Sequence, residues 1–431
     1  SFGNYNVQTQ GKGGPIIASL NNPNIESDFL STFLSASDIS QVEHIKPQTT
    51  PLMTSFLVNF LNTLVFTSTK INSIPGDFIN DGGNLVAEMI SNLSERTFSF
   101  QSFQLSNSIL GASKTTIDNN MSTLTTTPAS SRMKNMVHYL MSQGAFLSNI
   151  RPEFLLTKNE FLDVVRIQIT KKLLGIDYYG APPISSFDSD LMDEFTSSQS
   201  FSAALLPRLK IAEHLFPSIS LESWTTVILQ VIKLYMFNKI SIDSFLSTAG
   251  TQEALKKLRE KVRSDVYSEI NRSTKSLLTS NIFSPVESML LKWSSLYYCI
   301  MNPNDVKVFL DFKDLRDPLV FLALFQAHLS ESKRIDIVMN PKKVEDHEKN
   351  MKKITDFMNQ VHINYCPSTK EILEGNNCMI ALIIALLYET LPHFIPSSSL
   401  NFNIPLCSRK IQTVSITNPS RYEITYNASI Q

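Results

Sequence analysis

Asn281-Ile282-Phe283-Ser284-Pro285, then Leu290-Leu291-Lys292-Trp293, then Val308-Phe309-Leu310-Asp311-Phe312-Lys313-Asp314-Leu315-Arg316-Asp317-Pro318 open a stretch that closes on Leu391-Pro392-His393-Phe394-Ile395-Pro396. Met289, Trp293, Leu296 and Ile300 recur at helical spacing and predict an amphipathic helix with one apolar stripe. Ser284 suits its N-cap, Pro285 its first turn, and Glu287 the positive end of its dipole. Leu315, Leu319, Leu322, Phe325 and Leu329 predict a second stripe, with Asp317-Pro318 as cap and first position. Val344, His347, Met351, Ile354, Met358 and Val361 predict a third. All nine residues of 379–387 are apolar, so that helix should be buried on every side. A membrane span needs about 20 such residues. Trp293 on the first stripe reads as core.

The order of these pieces resembles the L-L-x-W-L, F-x-x-D-L-x-D-G and L-P pattern of the calponin-homology family, with Pro318 in place of the usual Gly. The resemblance implies a recognition module over 281–396, without catalytic machinery. Upstream, Trp224, Leu229, Gln230 and Lys233 form a Trp-x-x-x-x-Leu-Gln-x-x-Lys pattern. It is similar to that of large scaffold proteins of the ciliary axoneme. That similarity holds best over 220–431, is loose over 133–220, and is not visible before. It implies cytoplasmic residence in the cytoskeleton of a cilium or flagellum, in the axonemal central apparatus. It also implies other central-apparatus proteins as partners. At the C-terminus, Tyr422, Ile424, Tyr426, Ala428 and Ile430 alternate with polar residues, the period of a half-buried strand. Ile411, Val414 and Ile416 precede them across an Asn418-Pro419-Ser420 turn. The pair looks like the opening of an ASH-type, immunoglobulin-like domain.

Composition narrows the classes. The 431 residues carry a formal net charge of −1, so bulk attraction to nucleic acid or to anionic membrane has no support. Gly is scarce at 13 residues, which favours helices over a turn-rich β chain. The chain does not begin with Met and ends within a strand-like run, and it reads as a piece of a longer protein. Cys299, Cys366, Cys378 and Cys407 fit neither zinc-site nor CxxC spacing, and read as reduced structural thiols.

The expected fold class is mainly α, a helical bundle preceded by an extended helical region and followed by the first strands of a β domain. Residues 1–50 read as linker. Residues 51–98 read as helical, on the spacing of Leu52, Phe56, Phe60 and Leu64 and then Leu85, Met89 and Leu93. Turns fall at Ile74-Pro75-Gly76-Asp77 and Asp81-Gly82-Gly83. Residues 99–132 are rich in Ser, Thr and Asn and read as a long, poorly ordered polar loop with room for one helix. The helical pattern returns over 133–280, with a stop at Gln143-Gly144, a helix over 161–174, and an apolar helix on Trp224, Val227, Ile228, Val231, Ile232, Tyr235 and Met236. Residues 253–278 read as a charged, solvent-facing helix. Residues 397–408 are a second linker, and 409–431 the truncated β domain.

No motif assigns catalysis. His347-Glu348 begins like a zinc-protease helix, yet Met351 stands where the second His is required. Asp188, Asp190 and Asp193 lack the glycine of a calcium loop and read as caps of a helix near Leu191. Gly11-Lys12-Gly13 lacks the Ser or Thr of a phosphate loop. No enzyme activity, metal or cofactor is expected. The segment with binding potential is 333–353, where Lys333, Arg334, Lys342, Lys343, Lys349, Lys352 and Lys353 outnumber Asp336, Glu345, Asp346 and Glu348 by three. It reads either as a solvated helix face or as a contact for an acidic filament such as tubulin. Actin is the weaker partner, since the family usually binds it through tandem domains.

Overall fold

A computed structural model describes residues 49–99, 101–103, 128–173, 199–240, 256, 260, 283–329, 335–338, 341, 343–361, 363–394, 409, 411 and 413. Its contacts divide the chain into two compact units, Ser1–Lys239 and Ile240–Gln431. Every regular element among the described residues is helical.

The first unit begins with α1 (Pro51–Leu64), where the Thr50 hydroxyl accepts from the Met53 N–H at 3.2 Å and Pro51 fills the first position. Its inner face is Met53, Phe56, Leu57, Phe60 and Leu61. The expected turns hold a short helix, α2 (Gly76–Asn80), followed by α3 (Asn84–Ser94). Gly82 and Gly83 between them take φ of 62° and 92°, conformations that side-chain-bearing residues rarely adopt. Next come α4 (Pro128–Ser142), a 3-10 turn at Pro152–Leu155, and α5 (Lys158–Leu173). The polar loop expected over 99–132 is therefore helical from Pro128 on. Proline is well placed at a first turn, and Met133, Met136, Val137 and Leu140 give the helix an inner face.

The unit is organised around α6 (Gln199–Tyr235), which runs through Pro207 and Pro217 and ends in a 3-10 turn at Phe237–Lys239. Every residue of 223–232 is buried. Trp224 is enclosed, its ring 5.5 Å from that of Phe78 on α2. Leu205–Tyr235 is long and apolar enough to cross a membrane by length and composition. However, 72% of its most apolar window is covered by the protein itself, as in the core helix of a bundle.

The second unit starts at α7 (Pro285–Met301), with the anticipated cap. Ser284 accepts from the Glu287 N–H at 3.3 Å, and the Glu287 carboxylate accepts from the Ser284 N–H at 2.6 Å. A 3-10 turn at Phe312–Arg316 leads to α8 (Pro318–His328), capped by Asp317, which accepts from the Leu319 N–H at 3.0 Å. Then follow α9 (Val344–Gln360), the short α10 (Thr369–Leu373), α11 (Asn377–Thr390) and a 3-10 turn at Leu391–Phe394. Trp293, Leu322, Ile354 and Ile383 are all buried, and 378–387 is buried on every side.

Three details differ from the stripes read in the sequence. On α7, every residue of 287–300 except Lys292 is buried, so this helix too is enclosed rather than half-exposed. Leu315 belongs to the 3-10 turn and not to the α8 stripe, because Asp317-Pro318 starts the helix after it. Val344 is 71% exposed, since the first residue of α9 lies beyond the contact with the core. The predicted helix over 253–278, the aspartates at 188–193 and the strands of 409–431 fall outside the described residues, apart from Lys256, Glu260, Arg409, Ile411 and Thr413, none of the last three in a strand.

Candidate partner-binding face

Helix α9 carries the described part of the lysine-rich segment. Asn350, Met351, Ile354, Phe357 and Met358 turn inward, which leaves Glu345, Glu348, Lys349, Lys352, Lys353 and Asp356 in solvent. Lys343 is exposed just before the helix, while Lys333, Arg334 and Lys342 lie outside the described residues. On the outer face, Glu345 and Lys349, Glu348 and Lys352, and Lys352 and Asp356 stand four residues apart, at the spacing of mutually supporting charges. Acids and bases are thus interleaved, and the cationic excess of 333–353 resides in its undescribed positions.

A feature absent from the sequence reading sits on the inner edge. Asn350 is 1% exposed, and its side-chain amide takes both polar groups of Val338. The Asn350 Oδ1 accepts from the Val338 N–H at 3.0 Å, and the Asn350 Nδ2 donates to the Val338 carbonyl at 2.8 Å. One amide can serve both groups of a residue only if they point the same way, as in extended backbone. Lys353 Nζ donates to the Asp336 carbonyl, and Ile337 is buried. The segment 335–338 is therefore strapped along α9. A helical asparagine normally reads as surface; the signal was its place beside Met351 and Ile354 on the buried face. Asn350→Ala should cost about 1–2 kcal/mol, because it removes both bonds that hold the Val338 N–H and carbonyl to α9. The loss of amide-exchange protection at Val338 would check this.

Among the described residues of this unit, two thiols and a tyrosine are held in unreactive forms. Burial pushes the Cys299 thiol up to about 11, and that of Cys366 likewise to about 11, so both stay protonated and poorly nucleophilic. Tyr298 donates to Asp305 Oδ2 at 2.7 Å, and Lys307 Nζ lies 3.2 Å from the Tyr298 hydroxyl and 2.8 Å from Asp305. Desolvation, with the Asp305 bond, pushes Tyr298 up to about 12, which leaves the trio a tie across the loop after α7. No three His, Cys, Asp or Glu side chains among the described residues gather as a metal ion would require.

Residues 39–240 match the family model of the cilia- and flagella-associated protein 47 domain. Cilia and flagella-associated protein 47 of Mus musculus is 22% identical over 310 residues, 69% of this chain. The Homo sapiens protein is 22% identical over 311 residues, again 69% of the chain. The chain is related to cilia- and flagella-associated protein 47. The aligned part spans only 8% and 9% of the length of those two relatives. No solved structure matches. The family match ends at residue 240, where the first compact unit also ends at Lys239. This corrects the sequence-based placement, which found no resemblance before residue 133.

Proposed function

We propose that the chain is a non-catalytic docking segment of a scaffold in the ciliary or flagellar axoneme, within its central apparatus. It would work by protein–protein contact, without a cofactor, in support of motility. The observation that carries this reading is the relationship to cilia- and flagella-associated protein 47. Two compact helical units with enclosed apolar hubs, and thiols held protonated by burial, suit a structural part. The calponin-homology assignment of 281–396 and the ASH-type assignment of 409–431 belong to the same proposal. The enclosed Trp293 and the Ser284 and Asp317 caps support the former.

The second reading is direct binding to microtubules, or less readily to actin, through the α9 face. Exposed Lys343, Lys349, Lys352 and Lys353 favour it, and the acids interleaved with them weaken it. The test pairs two assays. A tagged chain expressed in ciliated cells should remain with axonemes after detergent extraction. The purified chain should pellet with neither microtubules nor F-actin at low salt. Loss from extracted axonemes would sink the scaffold reading. Pelleting with microtubules would favour the filament reading if Lys→Glu changes at these four positions abolish it. Raised ionic strength should weaken such a contact as well, since exposed charges act over a Debye length of about 10 Å at 0.1 M salt. Reversal at Lys343 alone should leave the melting temperature nearly unchanged, because that side chain lies in solvent ahead of the helix. The fourfold reversal should lower it, since Lys353 holds the Asp336 carbonyl and reversal at 349 and 352 sets like charges four residues from Glu345, Glu348 and Asp356.

A further inference from the structure

We propose that the two units are two copies of one fold, the first of them enlarged by an inserted helical hairpin. The correspondence runs through local chemistry as well as element order. Each copy opens with a hydroxyl-Pro pair, Thr50-Pro51 or Ser284-Pro285, whose hydroxyl accepts from the N–H three residues on. In each, a polar side chain of that first helix then holds an incoming segment by a backbone N–H. Asn62 accepts from Ile71 at 2.9 Å, and Ser295 accepts from Phe309 at 2.9 Å. A short helical turn with a fully enclosed phenylalanine follows, Phe78 in α2 and Phe312 in its counterpart. An aspartate just ahead of an 11-residue helix then bonds an N–H of its first turn, from the N-cap position in the second unit and from two residues before the Gly83 cap in the first. Asp81 accepts from the Leu85 N–H at the start of α3, and Asp317 accepts from the Leu319 N–H at the start of α8.

The second halves agree too. A helix of 15 residues (α4) or 17 (α9) packs against a short one, Pro152–Leu155 or α10. The short element also packs on the hub helix, α6 or α11, and each hub ends in a 3-10 turn. Each hub buries ten consecutive residues, 223–232 and 378–387. Each meets the early turn, through the Trp224 and Phe78 rings in one unit and the 2.7 Å bond from Asn377 to Asp311 in the other.

What the first copy adds is α5 and the part of α6 before Pro217. These pack on each other through Phe161, Val165 and Ile169 against Ile211, Ala212, Leu215 and Phe216. The packing of the copies has diverged widely: in the second unit α7 packs on α8 and α11, α8 on α9, and the hub on the Phe312–Arg316 turn, whereas in the first α3 leans on the hub and, among the described residues, α1 has no comparably extensive contact.

Amide exchange on the whole chain, read by mass spectrometry, tests the scheme. Residues 223–232 and 378–387 should be the last to exchange in their units, with α5 and 199–216 opening earlier, as an appended hairpin would. The opposite order, with α1 and α3 open while the hairpin stays closed, would place the first core in the hairpin and overturn the proposal. An experimental structure gives the second readout. Residues 50–157 joined to 218–239 should follow the chain path of 284–394 with the same order and direction of helices. A path of opposite hand would overturn the proposal as well.

Discussion

Trp293→Ala is expected to destabilise the second unit by about 3–5 kcal/mol, the cost of deleting a large enclosed aromatic side chain. The indole is 1% exposed and lies where three elements meet. Its centroid is 5.8 Å from the Tyr297 ring on its own helix, 5.8 Å from His328 at the end of α8, and 5.3 Å from Tyr388 on α11. Truncation leaves a void lined by all three, and enclosed helices cannot shift to fill it without parting from one another. Thermal melting by circular dichroism should show one part of the helical signal lost far earlier than in the parent protein. A melting curve that barely moves would mean that α7, α8 and α11 do not share a core.

Acid should weaken the same junction. The His328 Nδ1 donates to the Leu324 carbonyl at 2.7 Å, which leaves Nε2 as the atom that would take up a proton. That atom is buried and has no partner, with the Trp293 and Tyr297 rings beside it. Desolvation, partly offset by the bond to Leu324, lowers the imidazole to about 4. The unfolded chain, whose histidine has an ordinary value near 6.5, therefore binds the proton more readily than the folded one. The penalty is absent above about pH 6.5, grows as pH falls, and levels off below about 4, where it reaches about 3 kcal/mol. Carboxylates also titrate in this range, so the informative comparison is with His328→Phe. That variant should lose markedly less stability than the parent between pH 7 and 4 in urea titrations. Parallel pH profiles would show that the ring is solvated or already has a partner for Nε2.

The sequence made the local punctuation readable wherever one side chain determines it. Ser284-Pro285 and Asp317-Pro318 start helices because a side-chain oxygen and a proline suffice to set a first turn. The apolar run of 379–387 announced a hub. It was harder to see that α7 is equally enclosed, because Ser288, Ser294 and Ser295 look like an outer face. In the fold, Ser294 and Ser295 donate back to the Leu290 and Leu291 carbonyls at 3.0 and 2.8 Å, which lets them be buried. Of the candidate face, the lysines were plain in the sequence and the strap was not. Asn350 meets Val338 from twelve positions away, and nothing in either residue's neighbourhood announces that pairing. The prolines of α6 point the same way. Pro207 and Pro217 argue locally for a break, yet the helix continues through both, with Ile211, Ala212, Leu215 and Phe216 packed between them and 223–232 buried beyond.

The chain contains two tryptophans, and the fold places one at the heart of each unit. With Trp293 replaced by phenylalanine, intrinsic fluorescence reports only on the surroundings of Trp224, and the reverse substitution isolates the second unit. Two single-tryptophan proteins thus provide separate optical channels for one polypeptide, without added dyes. Comparing their unfolding midpoints would reveal whether the halves of the molecule melt as strangers or in concert.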